Sequence, residues 1–264
     1  NDPKEEEIRK LLELGGQILP TLIKHRVIRA FSGVRPLHRD DHDVSGVNVE
    51  KGRDVSRSFA LIDHEVHEGV EGFISIVGGK FTTYRLMAEK VSDWVAEKVG
   101  NTAPCRTAEE SLMPAIPADL RKKASQILPF APVGKMLERL QEDAEHVITE
   151  IQRDPRKGQM LCECEMVTMA EVEKLASDVD THHLADIRRK TRLGMGTCQG
   201  AFCTYRTLPL LWQKKEKYDN LQEEIKNFLN QRWKGIRPVL WGQQLRETEL
   251  TRAIYGSILQ VKGT

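Results

Sequence analysis

The sequence predicts an α+β fold, and three observations carry that prediction. Two short apolar runs, 58–63 and 73–77, have strand composition and end at turn residues. Several longer stretches repeat apolar residues every three or four positions, which is the helical period. Four of the five cysteines fall between 162 and 203, which points to a small helical module built around them. The expected order is antiparallel strands with flanking helices first, then the cysteine module.

Each element follows from local chemistry. Asp2 reads as an N-cap, Pro3 as a first helical position, and Glu5, Glu6 and Glu7 place acids in the first turn. Ile8, Leu11, Leu12, Ile18, Leu19 and Leu22 recur at helical spacing and predict a helix over 3–19. Val27–Ser32 reads as a strand, stopped at Pro36, which cannot donate to a ladder. Residues 38–57 are polar and read as an exposed loop. The strands at 58–63 and 73–77 follow, and Gly78-Gly79 breaks the second. Thr82 opens a helix with Leu86, Met87, Val91, Trp94 and Val95 on one face, closed by Gly100. Pro104, Pro114, Pro117, Pro129 and Pro132 punctuate 104–157, read as a connector with short helices, one near 135–145. A further amphipathic helix is expected over 217–233, with Leu221, Ile225, Phe228 and Leu229 on its apolar face. The chain therefore reads in four parts: 1–103, the connector 104–157, the cysteine module 158–212 and a helical tail 213–264.

Composition narrows the function classes. The 264 residues carry 40 Lys and Arg against 39 Asp and Glu, a formal net charge of +1. A dedicated nucleic-acid binder would show a basic excess, so that class is disfavoured. No apolar run approaches the roughly 20 residues that span a bilayer. No secretory signal is seen, which disfavours a disulfide framework. The opening, without an initiator Met, suits a piece of a longer protein or a trimmed tag.

The cysteines form a pattern. Cys162-Glu163-Cys164 gives C-x-C and Cys198 to Cys203 gives C-x4-C, with 33 residues between the pairs. Four soft thiolates suit zinc or an iron–sulfur cluster. Structural zinc sites usually space paired cysteines by two to four residues, and C-x-C fits that less easily. A two-iron rhomb takes one pair from each of two segments. Gly194, Gly196 and Gly200 would let backbone N–H groups turn toward the sulfurs, and Arg188, Arg189, Lys190 and Arg192 would offset a cluster's negative charge. Zinc and unliganded thiols stay open as alternatives. Cys105 stands alone in the connector and reads as a bystander.

A second element is a strand that passes through Gly78-Gly79-Lys80 into a helix start at Thr82 and Thr83. Free N–H groups and the positive end of a helix attract an anion or a polarised carbonyl there. Arg35, just after a strand end and before Pro36, is placed to present a guanidinium to an anion. None of the eight histidines shows a metal spacing.

Taken together, these segments resemble a known family. Ser32-Gly33-Val34-Arg35-Pro36-Leu37, Val55-Ser56-Arg57 and Gly78 to Arg85 are similar to the C-terminal half of the FAD-dependent glycerol-3-phosphate dehydrogenases. The cysteine segment resembles the 2Fe–2S module related to bacterioferritin-associated ferredoxin. The resemblance implies a partial FAD-dependent oxidoreductase substrate domain followed by a small 2Fe–2S-binding domain. It implies oxidation of sn-glycerol 3-phosphate to dihydroxyacetone phosphate, with hydride passing to FAD and electrons leaving through iron–sulfur centres of partner subunits toward membrane quinone. Arg35, Arg57 and Lys80 would be the substrate-side cations. Gly78, Gly79, Thr82 and Thr83 would border the flavin, and Cys162, Cys164, Cys198 and Cys203 would hold the cluster. The implied location is cytoplasmic, on the inner membrane face through those partners. Two departures stand out. The family's N-terminal G-x-G-x-x-G fold is absent, so the chain is expected to be inactive alone. The small ferredoxin relatives close with C-x2-C, so Cys203 rests least on the resemblance. The competing readings are a zinc- or cluster-bearing docking module, and another FAD amine or hydroxy-acid oxidoreductase.

Overall fold

The computed structural model describes residues 2–34, 59–214, 216–258 and 260–261, and they are mostly helical with two small antiparallel sheets. This content matches the α+β class. The chain divides into two units, one of Asn1–Ser32 with Ala115–Thr264 and the other of Gly33–Pro114.

In the smaller unit, β1 (Phe59–Asp63) pairs antiparallel with β2 (Ile74–Gly78), Leu61 facing Ile76. A single helical turn, α2 (His64–Glu68), joins them. Asp63 caps it by accepting from the Glu65 backbone N–H at 3.1 Å, and Gly69 closes it in the left-handed region. The chain leaves β2 through Gly78 and Gly79, at φ +82° and +78°, then a 3-10 turn, Phe81–Thr83, then α3 (Tyr84–Lys98). Glycine is favoured at 79 because φ +78° lies in the left-handed region that residues with a Cβ rarely adopt. Lys98, at the end of α3, reaches back to Asp63 at 2.8 Å and Glu65 at 2.6 Å. That contact lowers the Asp63 pKa and raises that of Lys98. Among the described residues this unit has no fully buried hydrophobic side chain.

The larger unit opens with α1 (Glu5–Ile18), one or two residues inside the predicted span. Lys4 N–H donates to Glu7 at 3.0 Å, and the acids lie at the positive helix end. Of its apolar face Ile8 is buried, while Leu11, Leu14 and Ile18 stay exposed. The strand expected over Val27–Ser32 is not one: no ladder forms there among the described residues. The segment is extended against α10 (Leu221–Ile236), where Ala30 N–H donates to Gly235 O at 2.8 Å. Its apolar residues reflect packing on a helix rather than on a sheet. Gly235 permits the approach, since a Cβ there would lie 2.3 Å from Arg29 Nε.

Region 104–157, read as a connector, carries α4 (Ala118–Ile127), α5 (Phe130–Leu140) and α6 (Ala144–Arg153). Pro117 and Pro129 sit at the N-caps of α4 and α5, so these prolines start helices rather than break them. The helix expected near 135–145 is divided at Gln141, which takes φ +51°. These helices bury Ala124, Met136, Leu137, Val147 and Ile148 in the same core that holds Cys162 and Cys203.

Next come β3 (Met160–Cys162) and β4 (Val167–Thr168), a short antiparallel pair. Thr168 then starts α7 (Met169–Ser177) with a reciprocal cap: its N–H donates to Glu171 at 2.7 Å, and the Glu171 N–H donates to its hydroxyl at 3.3 Å. Asp186 stabilises the start of α8 (Leu184–Thr191) by accepting from the N–H groups of His182 and His183. α9 (Cys203–Trp212) and α11 (Gly242–Ala253) complete the unit. No helix among the described residues is long and apolar enough to cross a membrane.

Candidate functional site

The four cysteines come from four local structures. Cys162 ends β3, Cys164 lies in the turn toward β4, Cys198 lies in the loop after α8, and Cys203 is the first residue of α9. Cys164 Sγ and Cys198 Sγ are 3.7 Å apart. Cys162 and Cys203, both 1% exposed, are close enough to shift each other's pKa. All four thiols are free, as is Cys105 in the smaller unit. Each close pair thus takes one cysteine from C-x-C and one from C-x4-C. Among the described residues, no three His, Cys, Asp or Glu side chains close on a single metal ion.

Backbone groups face the sulfurs, as the glycines suggested. Contact with Cys203 lowers the Cys162 pKa, helped by the backbone of Gly194 and Glu165 against the effect of burial. The same contact and burial raise Cys203. Burial raises Cys198, opposed by the backbone of Gly200 and Ala201. Gly194 and Gly200 take φ +77° and +82°. At Gly196 a Cβ would lie 2.3 Å from Cys164 Cβ, so only glycine lets the two loops approach this closely.

Arginines shape the surroundings. Glu163 pairs with Arg206, and Glu165 with Arg192 at 2.9 Å, so the acids of the C-E-C-E run are neutralised locally. Arg139 of α5 holds the same loop: it donates to the carbonyls of Glu165 and Met166 and pairs with the fully buried Glu171 at 2.9 Å. Burial raises the Glu171 pKa despite those partners. None of these roles was read from the sequence. Arg188 on α8, read from the sequence only as part of a basic run, and Arg232 on α10, which the sequence reading missed, are both buried. The available signal was phase: Arg188 follows Leu184 by four residues, and Arg232 continues the Ile225, Phe228, Leu229 stripe.

In the smaller unit, Lys80 is exposed just after the Gly78-Gly79 turn. Its N–H donates to Thr83 Oγ1 at 3.0 Å, and that hydroxyl donates to Lys80 O at 2.9 Å. Thr82 is exposed beside them. Arg35 and Arg57 lie outside the described residues, so the proposed cation set is placed only at Lys80.

No protein-family model and no solved structure matches the chain. Curated proteins do. An anaerobic glycerol-3-phosphate dehydrogenase subunit of Escherichia coli K12 is 42% identical over 253 residues, 95% of this chain and 45% of that protein. The subunit of the same name in Haemophilus influenzae is 37% identical over 256 residues, 96% of this chain and 44% of that protein. Its counterpart in Haloferax volcanii is 36% identical over 257 residues, 96% of this chain and 42% of that protein. Nearly the whole chain is therefore similar to proteins named as subunits of anaerobic glycerol-3-phosphate dehydrogenase, and it spans somewhat under half of their length.

Proposed function

We propose that this chain is part of a flavoprotein that oxidises sn-glycerol 3-phosphate to dihydroxyacetone phosphate and passes the electrons through a 2Fe–2S centre toward quinone. The similarity to subunits of that name supports the substrate. The observation that carries the electron-transfer part is the meeting of four free thiols, in two pairs, from segments 33 residues apart in the sequence.

The donor set fits a two-iron cluster. Four soft ligands are present in two close pairs, Cys164 with Cys198 and Cys162 with Cys203. Cys162, Cys164, Cys198 and Cys203 would hold it, and it would supply one-electron storage when bound. Burial of Cys162 and Cys203 excludes water from one side, while Cys164 is exposed on the other. FAD, when bound, would accept hydride from C2 of the substrate. Gly78, Gly79, Thr82 and Thr83 would lie along it, since the glycines remove side chains where a flat ring approaches. Lys80, with Arg35 and Arg57, would clamp the phosphate dianion by charge-assisted hydrogen bonds. Contact with the membrane would come through partner subunits on its cytoplasmic face.

Anaerobic purification followed by a visible spectrum and iron and sulfide analysis tests the reading. Two iron and two acid-labile sulfide per chain, lost in Cys162→Ser and Cys203→Ser, are expected. A colourless protein with one tightly bound zinc would overturn it.

A further inference from the structure

The basic run after Asp186 divides in two. Arg189, Lys190 and Arg192 each pair with a carboxylate: Asp186, Asp180 and Glu165. Arg188 does not. It is 8% exposed, donates from Nε to Leu193 O at 3.3 Å and stacks over the Phe228 ring at 4.6 Å. Arg232 is 5% exposed, and its Nη2 makes a long hydrogen bond to Thr251 Oγ1 at 3.5 Å. The Tyr255 phenol adds a neutral contact. Nε and Nη1 of Arg232 are buried with no partner. Among the described residues neither guanidinium has a carboxylate within ion-pair distance. A buried guanidinium without a counter-ion is among the most costly features a core can hold. Two of them in one unit call for an anion that the described residues do not supply.

The cysteine thiols, which can ionise, lie close to both groups. Arg232 and Cys198 line one cavity of about 180 Å3, together with Arg26, Thr197 and Gln199, with the exposed Glu247 on its wall. Arg188 lies against Leu193-Gly194, and it is the Gly194 backbone that bonds Cys162. The two guanidinium groups therefore approach the cysteine set from α8 and from α10.

We infer that Arg188 and Arg232 are the built-in counter-charges of the cysteine centre and set how readily it accepts an electron. The inference rests on the 2Fe–2S reading above. Four thiolates, two sulfides and two ferric ions carry two net negative charges, which two arginines balance. Reduction by one electron from a dihydroflavin turns one ferric ion ferrous and adds a third negative charge, with no bond made or broken. Fixed positive charge in a dry site favours that added charge.

The test is an EPR-monitored redox titration of the cluster-loaded chain. Arg232→Met and Arg188→Met should each shift the reduction equilibrium about tenfold toward the oxidised form, ~59 mV for one electron. Arg232→Lys should restore most of the shift, and the surface variant Arg189→Met should leave the potential unchanged. A loaded Arg232→Met protein with the parent potential, or an equal shift in Arg189→Met, would overturn the inference. Thermal unfolding supplies a second readout that does not need a redox-active sample. Arg232→Met should be at least as stable as the parent without the cluster and less stable with it. Equal destabilisation in both states would make Arg232 a packing residue only. A parent chain without iron and sulfide defeats the 2Fe–2S reading instead, a result separate from these.

Discussion

Glu171→Ala is the perturbation whose cost the structure fixes best. The Glu171 side chain is 0% exposed and makes three bonds: from the Thr168 N–H at 2.7 Å, from the Thr168 hydroxyl at 2.9 Å and from Arg139 at 2.9 Å. Truncation removes all three and leaves Arg139, 10% exposed, as a charge without its carboxylate. Single net hydrogen bonds contribute about 1 kcal/mol each, and breaking one side of a buried pair costs about 3–5 kcal/mol. These overlap, so we expect a loss of about 4 kcal/mol, roughly a thousandfold in the folded-to-unfolded ratio. Glu171→Gln keeps the shape and the cap acceptor and should cost about half as much. Because burial holds the carboxyl above its usual range, its stabilising contribution is complete below pH 4.5 and is lost as pH rises through the raised value. The deficit of Glu171→Gln relative to the parent should therefore shrink as pH rises. Urea unfolding followed by the helical circular dichroism signal reads both effects. A Glu171→Ala cost under about 1 kcal/mol, or a Gln deficit that grows with pH, would refute this account of the buried pair.

Three further outcomes are expected. Gly196→Ala should cut iron content by more than half, because its Cβ would fall 2.3 Å from Cys164 Cβ and drive the loops apart; full iron occupancy would contradict that. Gly134→Ala in α5 should raise stability by ~0.5–1 kcal/mol in urea unfolding, since a Cβ there meets nothing within 4 Å and glycine is a poor helix former. His183 should titrate above 6.5, because Glu224 accepts its ring N–H at 2.8 Å. That pair contributes fully below pH 6.5 and is lost as pH climbs through the raised pKa. An NMR titration in which Glu224→Gln leaves the His183 midpoint unmoved would dismiss the pairing.

What was legible in the sequence was local. The glycines at 78 and 79, the acids ahead of Ile8, and the period of Leu221, Ile225, Phe228 and Leu229 each act within a turn or two of chain, and the elements they predicted are present. The cysteine spacing also revealed a set of four, since thiols separated by 33 residues have few reasons to recur in pairs. Long-range partners left no such mark. Val27–Ser32 has a strand's composition, but its backbone bond from Ala30 goes to Gly235 on a helix. Pro117 and Pro129 punctuate a polar stretch, yet they cap helices that fill the core. Arg139 meets Glu171 across 32 positions, a distance over which no spacing rule operates. Arg35 and Arg57 lie outside the described residues, so the substrate clamp stays a matter of sequence.

The charge balance shows how a whole-chain number can hide local organisation. A net charge of +1 disfavours a dedicated nucleic-acid binder and says little else. Around the cysteines the arginines differ by what they face. Arg192 and Arg206 cancel the acids beside the thiols at the surface. Arg139 holds two carbonyls of the cysteine loop and is itself held by Glu171. That ties α5, from the region read as a connector, to the turn that carries Cys164. A piece starting at 158 would lose Arg139 and the core side chains of α4, α5 and α6, so the cysteine module needs those helices to keep its shape. Among the described residues, Arg188 and Arg232 are the arginines buried without acids. Those two buried positive charges lie beside the group of thiols that could become anionic together.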